Sequence, residues 1–139
     1  KIPLVSMPKE VYLHAKQSCK KNSKIGILCT EATIKTKVYS KYFDKGFELV
    51  SPGKKLQKNS VNKAIKFVKM GKVREAEKVL KPAVNYLIKM KCKKIILGCT
   101  ELPIAIFAYK SFKKIRESKI FIDPNLLLAQ VSMKKYLKK

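Results

Sequence analysis

Arginine, histidine and acidic side chains are all scarce in this chain, and each scarcity narrows what it can do. The 139 residues carry 33 basic side chains, of which only Arg74 and Arg116 are arginine, against 9 acidic ones, for a net charge of +24. Such a charge ordinarily points to nucleic acid. Readers of phosphate and guanine, however, rely on the bidentate arginine fork. Here the lysines are spread from end to end, as in "KKLQK", "KKIRESK" and "KKYLKK". That dispersal describes a heavily charged ordinary surface rather than a polyanion site. Nucleic acid is therefore not the expected partner, whereas small anionic substrates are drawn to such a surface.

Glycine and proline are also few, 5 and 6, beside 46% hydrophobic residues, which excludes a disordered or low-complexity chain. The length suits one domain with a real core. No apolar run approaches the roughly 18 residues that a membrane-crossing helix needs, so no membrane role is expected. The apolar stretch of "KIPLVSMPKE" is too short for a signal-peptide core. The chain starts at Lys1 rather than Met, so further sequence is expected upstream. Cys19, Cys29, Cys92 and Cys99 fit neither a zinc spacing nor a secreted disulfide framework. Free thiols in a cytoplasmic setting, with no metal, are expected. His14, the one histidine, sits mid-helix without a Cys or acid at a useful spacing, and reads as a surface residue.

What the sequence does hold is an alternation of strands and helices. An apolar run at 2–6, expected as a strand, precedes a helix opened by Pro8. "KIGILCT" (24–30) is apolar on both faces, as a parallel strand is. A helix is expected from Thr33 to Lys45, ending at Gly46, then the strand "FELV" (47–50). Helices follow near 58–70 and over 72–91, the second kinked or broken at Pro82. "KKIILGC" (93–99) is a strand, a helix runs from Pro103 to about Phe112, and "KIFID" (119–123) is the last strand. "NLLLAQVSMKKYLKK" closes the chain as a helix capped by Asp123 or Asn125. The class is α/β, a mostly parallel sheet flanked by helices.

In open α/β sheets, ligands bind beyond the carboxyl ends of the strands, where the strand order reverses. With a 2-1-3 order, Cys29-Thr30 and Cys99-Thr100 stand on neighbouring strands at that edge. Each pair precedes a helix, whose N-terminus lowers a thiol pKa and attracts anions. The threonines offer hydroxyls and caps. Either cysteine could equally be a small apolar filler at the end of a buried strand, and periodicity does not decide between the two.

The segment "IILGCTELP" resembles the second catalytic segment of the aspartate/glutamate racemase family. "KIGILCTEATIKTKVYSKYFDKGFELVSP" is similar to the opening of that family's second domain, with its T-x-x-T element. "VKMG" (68–71) and "FIDPNLLLAQ" resemble further family elements in the same order. The resemblance implies a Rossmann- or flavodoxin-like half of a two-domain racemase: residues 1–23 the tail of the first domain, 24–123 the second α/β domain, and 124–139 a C-terminal helix returning to the first. It implies cofactor-independent racemisation of an acidic amino acid, aspartate foremost, by two thiols on opposite faces of the α-carbon. Cys99 would be the catalytic thiol of this half and Thr100 a substrate contact. Thr30 and Thr33 would bind the α-carboxylate, and Lys69 would pair with a substrate carboxylate. Glu101 would tune Cys99 or cap its helix.

Two departures from the family pattern bear on activity. The chain holds no Cys-Asn-Thr segment to supply the other thiol, so it is expected to be inactive alone and to act as a homodimer or with a complementing first-domain polypeptide. Cys29 stands where the family has a small residue. On neighbouring strands the two sulfurs would lie on the same side of any substrate, so Cys29 is expected to be a neighbour of the site, close enough to Cys99 for a disulfide under oxidation. The rival expectations are a related thiol enzyme on another acidic, hydantoin- or maleate-type substrate, and a non-catalytic anion- or nucleic-acid-binding module.

Overall fold

The computed structural model describes residues 4–137. Four parallel strands, β1 (Lys24–Leu28), β2 (Glu48–Val50), β3 (Lys94–Leu97) and β4 (Phe121–Ile122), form one sheet in the order β2-β1-β3-β4. The order reverses between β1 and β3, which pair Ile27 with Ile96 and Leu28 with Leu97. Both strands are buried on both faces, which accounts for their unbroken apolar runs.

One face of the sheet is covered by α1 (Met7–Ser18) and α3 (Ser40–Phe43). Val11 and Ala15 of α1 join Phe43, Phe47, Ile25, Ile27 and Ile96 in a shared core. Tyr12 stands edge-on to Phe43 and Phe47, ring centroids 5.5 and 6.1 Å away. The opposite face is covered by α5 (Lys63–Lys69), α6 (Val73–Lys89) and α7 (Glu101–Phe107). The buried Ala76, Leu80, Ala83, Val84 and Leu87 recur at helical spacing along α6. Pro82 stays within that helix, unbroken, on its exposed side, where the carbonyl of Lys78 that loses an amide partner can meet water.

Several elements differ from the sequence expectation. No strand forms over 4–6, because the Ser6 carbonyl already accepts from Glu10 N in the first turn of α1; residues 2 and 3 lie outside the described residues. The expected helix 33–45 is two short ones, α2 (Glu31–Lys35) and α3, parted at Lys37, whose φ is 54°. The helix expected from 58 begins earlier, as α4 (Lys54–Leu56), and passes through a π-helical segment, Gln57–Asn62, into α5. After α7 the chain turns, buries Phe112, and forms α8 (Lys113–Glu117). The last helix, α9 (Pro124–Leu137), is capped by Asp123, whose Oδ1 accepts from Asn125 N at 2.9 Å and Leu126 N at 3.3 Å. Among the described residues, no helix is long and apolar enough to cross a membrane.

Candidate active site

The pairing of β1 with β3 runs on past their ends. Gly98 N donates to the Leu28 carbonyl at 2.7 Å, and a Cβ added at Gly98 would lie 3.0 Å from Cys29 Cβ. The next residues along the two strands are Thr30 and Cys99. Thr30 caps α2, its hydroxyl accepting from Thr33 N at 3.2 Å and sharing a hydrogen bond of 3.0 Å with the Thr33 hydroxyl. The T-x-x-T element is thus one turn of helix with both hydroxyls side by side. Thr100 does not cap α7; its hydroxyl turns to Glu101 Oε2 at 3.0 Å.

Cys99 Sγ donates to the same Glu101 Oε2 at 2.8 Å, and Lys69 Nζ lies 3.5 Å from Glu101 Oε1. Cys99, Thr100, Glu101 and Lys69 therefore form one connected group, with Glu101 at its centre. Its parts come from the β3 tip, the first residue of α7 and the last residue of α5. Glu101 is held below its usual carboxylate range, first by the thiol's hydrogen bond. Cys99 is pushed the other way, up to about 11, by burial and then by its hydrogen bond to that carboxylate. This reverses the expectation that a helix N-terminus would lower the pKa of Cys99. The Glu101 N–H at the start of α7 does favour the thiolate, but burial and then the Glu101 carboxylate outweigh it. At neutral pH Cys99 is a protonated thiol.

Cys29 proves to belong elsewhere. Side chains alternate along a strand, and because Cys29 is level with Gly98, Cys99 leaves the sheet on the other face. Cys29 is 1% exposed within the α1–α3 core, while half-buried Cys99 lies against the α5–α7 core. The two sulfurs therefore do not share a side, and their diverging directions do not suit the expected disulfide; both are free thiols. Burial and then Cys99 push the Cys29 thiol up to about 12. A cavity of about 270 Å³ on its face is lined by Cys29, Thr33, Tyr39 and Asp44 among others. His14 is half-buried rather than on the open surface, its pKa lowered by burial and then by Lys94. Among the described residues, no three His, Cys, Asp or Glu side chains converge as a metal site requires.

The site also has a part that sequence reasoning misses. Gln57 and Asn62, both in the π-helical segment, reach the tip of β1. Gln57 Nε2 donates to the Cys29 carbonyl at 2.8 Å and to Asn62 Oδ1 at 2.9 Å, and Asn62 Nδ2 donates to Glu31 Oε1 at 3.0 Å. Residues five apart do not face each other on an α-helix, so their spacing carried no signal.

Comparison with known proteins agrees with the fold. The chain aligns by structure with the Picrophilus torridus aspartate racemase over 97% of its own length and 53% of that chain, at a TM-score of 0.76 and 25% identity. It aligns with an aspartate racemase homologue from Pyrococcus horikoshii OT3 over 96% and 56%, at 0.74 and 20%. It is 32% identical over 85 residues to the uncharacterized protein in pnlA 3'region of Pectobacterium carotovorum subsp. carotovorum, covering 60% of this chain and 56% of that protein. The chain thus spans about half the length of these relatives. The family model for Asp/Glu/hydantoin racemases matches residues 1–131, and the chain belongs to that family.

Proposed function

We propose that this chain is one half of a cofactor-independent racemase for an acidic amino acid, aspartate foremost, with Cys99 working on one face of the substrate's α-carbon. The observation that carries the reading is the Cys99–Glu101–Lys69 group at the switch edge of the sheet. Racemisation needs a base and an acid on opposite faces of a planar carbanion. Burial and then Glu101 hold Cys99 protonated at neutral pH, the state that the acid of the pair needs. Its thiolate, once formed beside a carboxylate, is a stronger base toward a carbon acid than that of an ordinary cysteine.

In one direction, the opposing thiolate takes the α-proton and the bonding pair passes into the carboxylate as an enediolate. Cys99 then gives its proton to the other face of the carbon. In the reverse direction, Cys99 begins as the thiolate. The hydroxyls of Thr30 and Thr33 and the ammonium of Lys69, 65% exposed with Glu101 as its ion-pair partner, stabilise the charge that develops on the carboxylate. Thr100 supplies a further hydroxyl contact. We assign the opposing thiol to a complementing first-domain polypeptide. Residues 1–23 and 124–139 lead to and from that first domain; α1 packs on this chain's own sheet, and α9, mostly exposed, meets the first domain. A working thiol of this kind is kept reduced in a reducing compartment, and on that ground we assign the protein to the cytoplasm.

The test is α-proton exchange of D- and L-aspartate in D2O, with glutamate, a hydantoin and maleate as the comparison panel. The chain alone should not racemise. Adding a first-domain polypeptide of the family should restore turnover, and Cys99→Ser should lower it about 100- to 10,000-fold. Normal turnover by the chain alone would refute the two-part reading. No turnover on any substrate of the panel with the partner present would refute the racemase reading.

A further inference from the structure

The π-helical segment holds two polar side chains that grip the tip of β1 on both sides of Thr30. Gln57 takes the carbonyl of Cys29, the residue before it, and Asn62 takes the carboxylate of Glu31, the residue after it. The two are joined to each other at 2.9 Å. The polarity of this relay is set by its ends. A carbonyl and a carboxylate both only accept, so Gln57 must present its NH2 to Cys29 and Asn62 must present its NH2 to Glu31, leaving Asn62 Oδ1 to accept from Gln57. Gln57 is 4% exposed, and its Oε1 is buried with no hydrogen-bond partner. An orphaned buried acceptor is costly, and a well-packed apolar residue would avoid that cost but could not hold the β1 tip. The segment is tied down as well: the buried Ser60 donates its hydroxyl to the Val79 carbonyl of α6.

We infer that Gln57 and Asn62 are positioning residues that set the Thr30–Thr33 hydroxyl pair, and that the π turn exists to align them. An α-helix would turn side chains five apart away from each other, whereas the wider π turn brings them into line. The same run of helix ends in Lys69. One element therefore fixes the hydroxyl pair at its start and reaches the Cys99–Glu101 group at its end. This inference rests on the proposed role of Thr30 and Thr33 in holding a substrate carboxylate.

The relay's polarity provides a test by rescue. Asn62→Asp keeps the acceptor for Gln57 but sets two carboxylates against each other at Glu31. Adding Glu31→Gln restores a donor across that gap, and Glu31→Gln alone keeps the Asn62 contact. Two quantities are read: amide hydrogen exchange at Thr33, whose N–H is held by Thr30, and the Kd for aspartate in the complex with a first-domain polypeptide. Asn62→Asp should speed Thr33 exchange and raise the Kd about tenfold each, a loss of about 1.4 kcal/mol in binding. The alkylation rate of Cys99 should stay unchanged, and the double variant should regain wild-type values for both quantities. Unaltered Thr33 exchange in Asn62→Asp, or no recovery in the double variant, would overturn the inference. If the wild-type complex binds no aspartate, the proposed function fails, and Thr33 exchange alone still decides whether the relay sets the hydroxyl pair.

Discussion

Glu101 governs the chemistry of Cys99, and the sign of that control can be worked out. The carboxylate stabilises the thiol by accepting its hydrogen bond and opposes the thiolate by its charge. Glu101→Gln removes the opposing charge and leaves Lys69, which favours the thiolate, without its ion-pair partner. The Cys99 pKa should fall from about 11, each unit giving about tenfold more thiolate at a fixed pH below it. Iodoacetamide labelling followed by mass spectrometry from pH 7 to 11 should show the rate curve moving to lower pH. Lys69→Met should move it the other way. Gly98 is the second residue with a single role. An added Cβ there would meet Cys29 Cβ at 3.0 Å and the Leu28 carbonyl at 3.4 Å, a strand neighbour and backbone that have little room to move. Gly98→Ala should cost about 1–3 kcal/mol in urea unfolding, whereas Gly53→Ala, with no atom near its would-be Cβ, should cost under about 0.5 kcal/mol. The glycine of "LGCTE" thus permits a close strand approach that only the structure reveals. The sequence did bring Cys99, Thr100 and Glu101 to one strand end, but a thiol pKa depends on which way a neighbouring carboxylate turns, and spacing does not encode that.

At the scale of elements, the strands were readable because a buried parallel strand is an unbroken apolar run between charged ends, and β1 and β3 are both of that kind. Helix ends were harder to read. Glycine is scarce, so left-handed closing positions fall on other residues: Asn22, Lys37, Lys91 and Lys119 have φ of 64°, 54°, 62° and 54°. A lysine there gives no warning, so the sequence across Lys37 looks like continuous helix. The same strain makes a prediction. Lys91→Gly, at the turn between α6 and β3, should raise stability by about 1 kcal/mol in urea unfolding, because glycine takes that conformation without steric cost. The π segment was the least legible element, since it has no propensity signature and shows only in what it aligns. Deleting exposed Lys58 should convert the turn to α and rotate Gln57 by about 100° relative to α5. Gln57 would then leave the Cys29 carbonyl, at a cost of about 1–3 kcal/mol for a buried acceptor left unpaired, while Val61, Ala64 and Ile65 keep their places in the core. A larger loss in urea unfolding, with the whole helix released, would show that the π turn is structural first.

For the whole molecule, charge and exposed apolar surface pull in opposite directions. Pro124 is the one buried residue of α9, and along the helix Leu126, Met133, Tyr136 and Leu137 are 58, 63, 78 and 75% exposed. Leu4, just before α1, is 92% exposed. The helix is held to the body by the Lys135–Glu10 pair at 3.5 Å and by Leu127 against the α1 core. An apolar stripe of this kind favours association, but two copies must each bring a net charge of +24. At low ionic strength that repulsion reaches tens of ångströms, and at about 1 M salt it is screened within about 3 Å. Self-association should therefore strengthen as salt is added, from monomer at about 10 mM to dimer or larger at about 0.5 M, by light scattering or sedimentation. Binding to a polyanion would do the reverse, weakening steeply with salt as the entropy gained by releasing counterions falls. Leu126→Glu with Met133→Glu should abolish the salt-driven association and leave the fold intact, since both side chains are exposed. A monomer at every salt concentration would mean that α9 meets no second copy. The complementing first-domain polypeptide would then be the remaining candidate for that face, and an acidic surface on it would relieve the repulsion that two identical chains cannot.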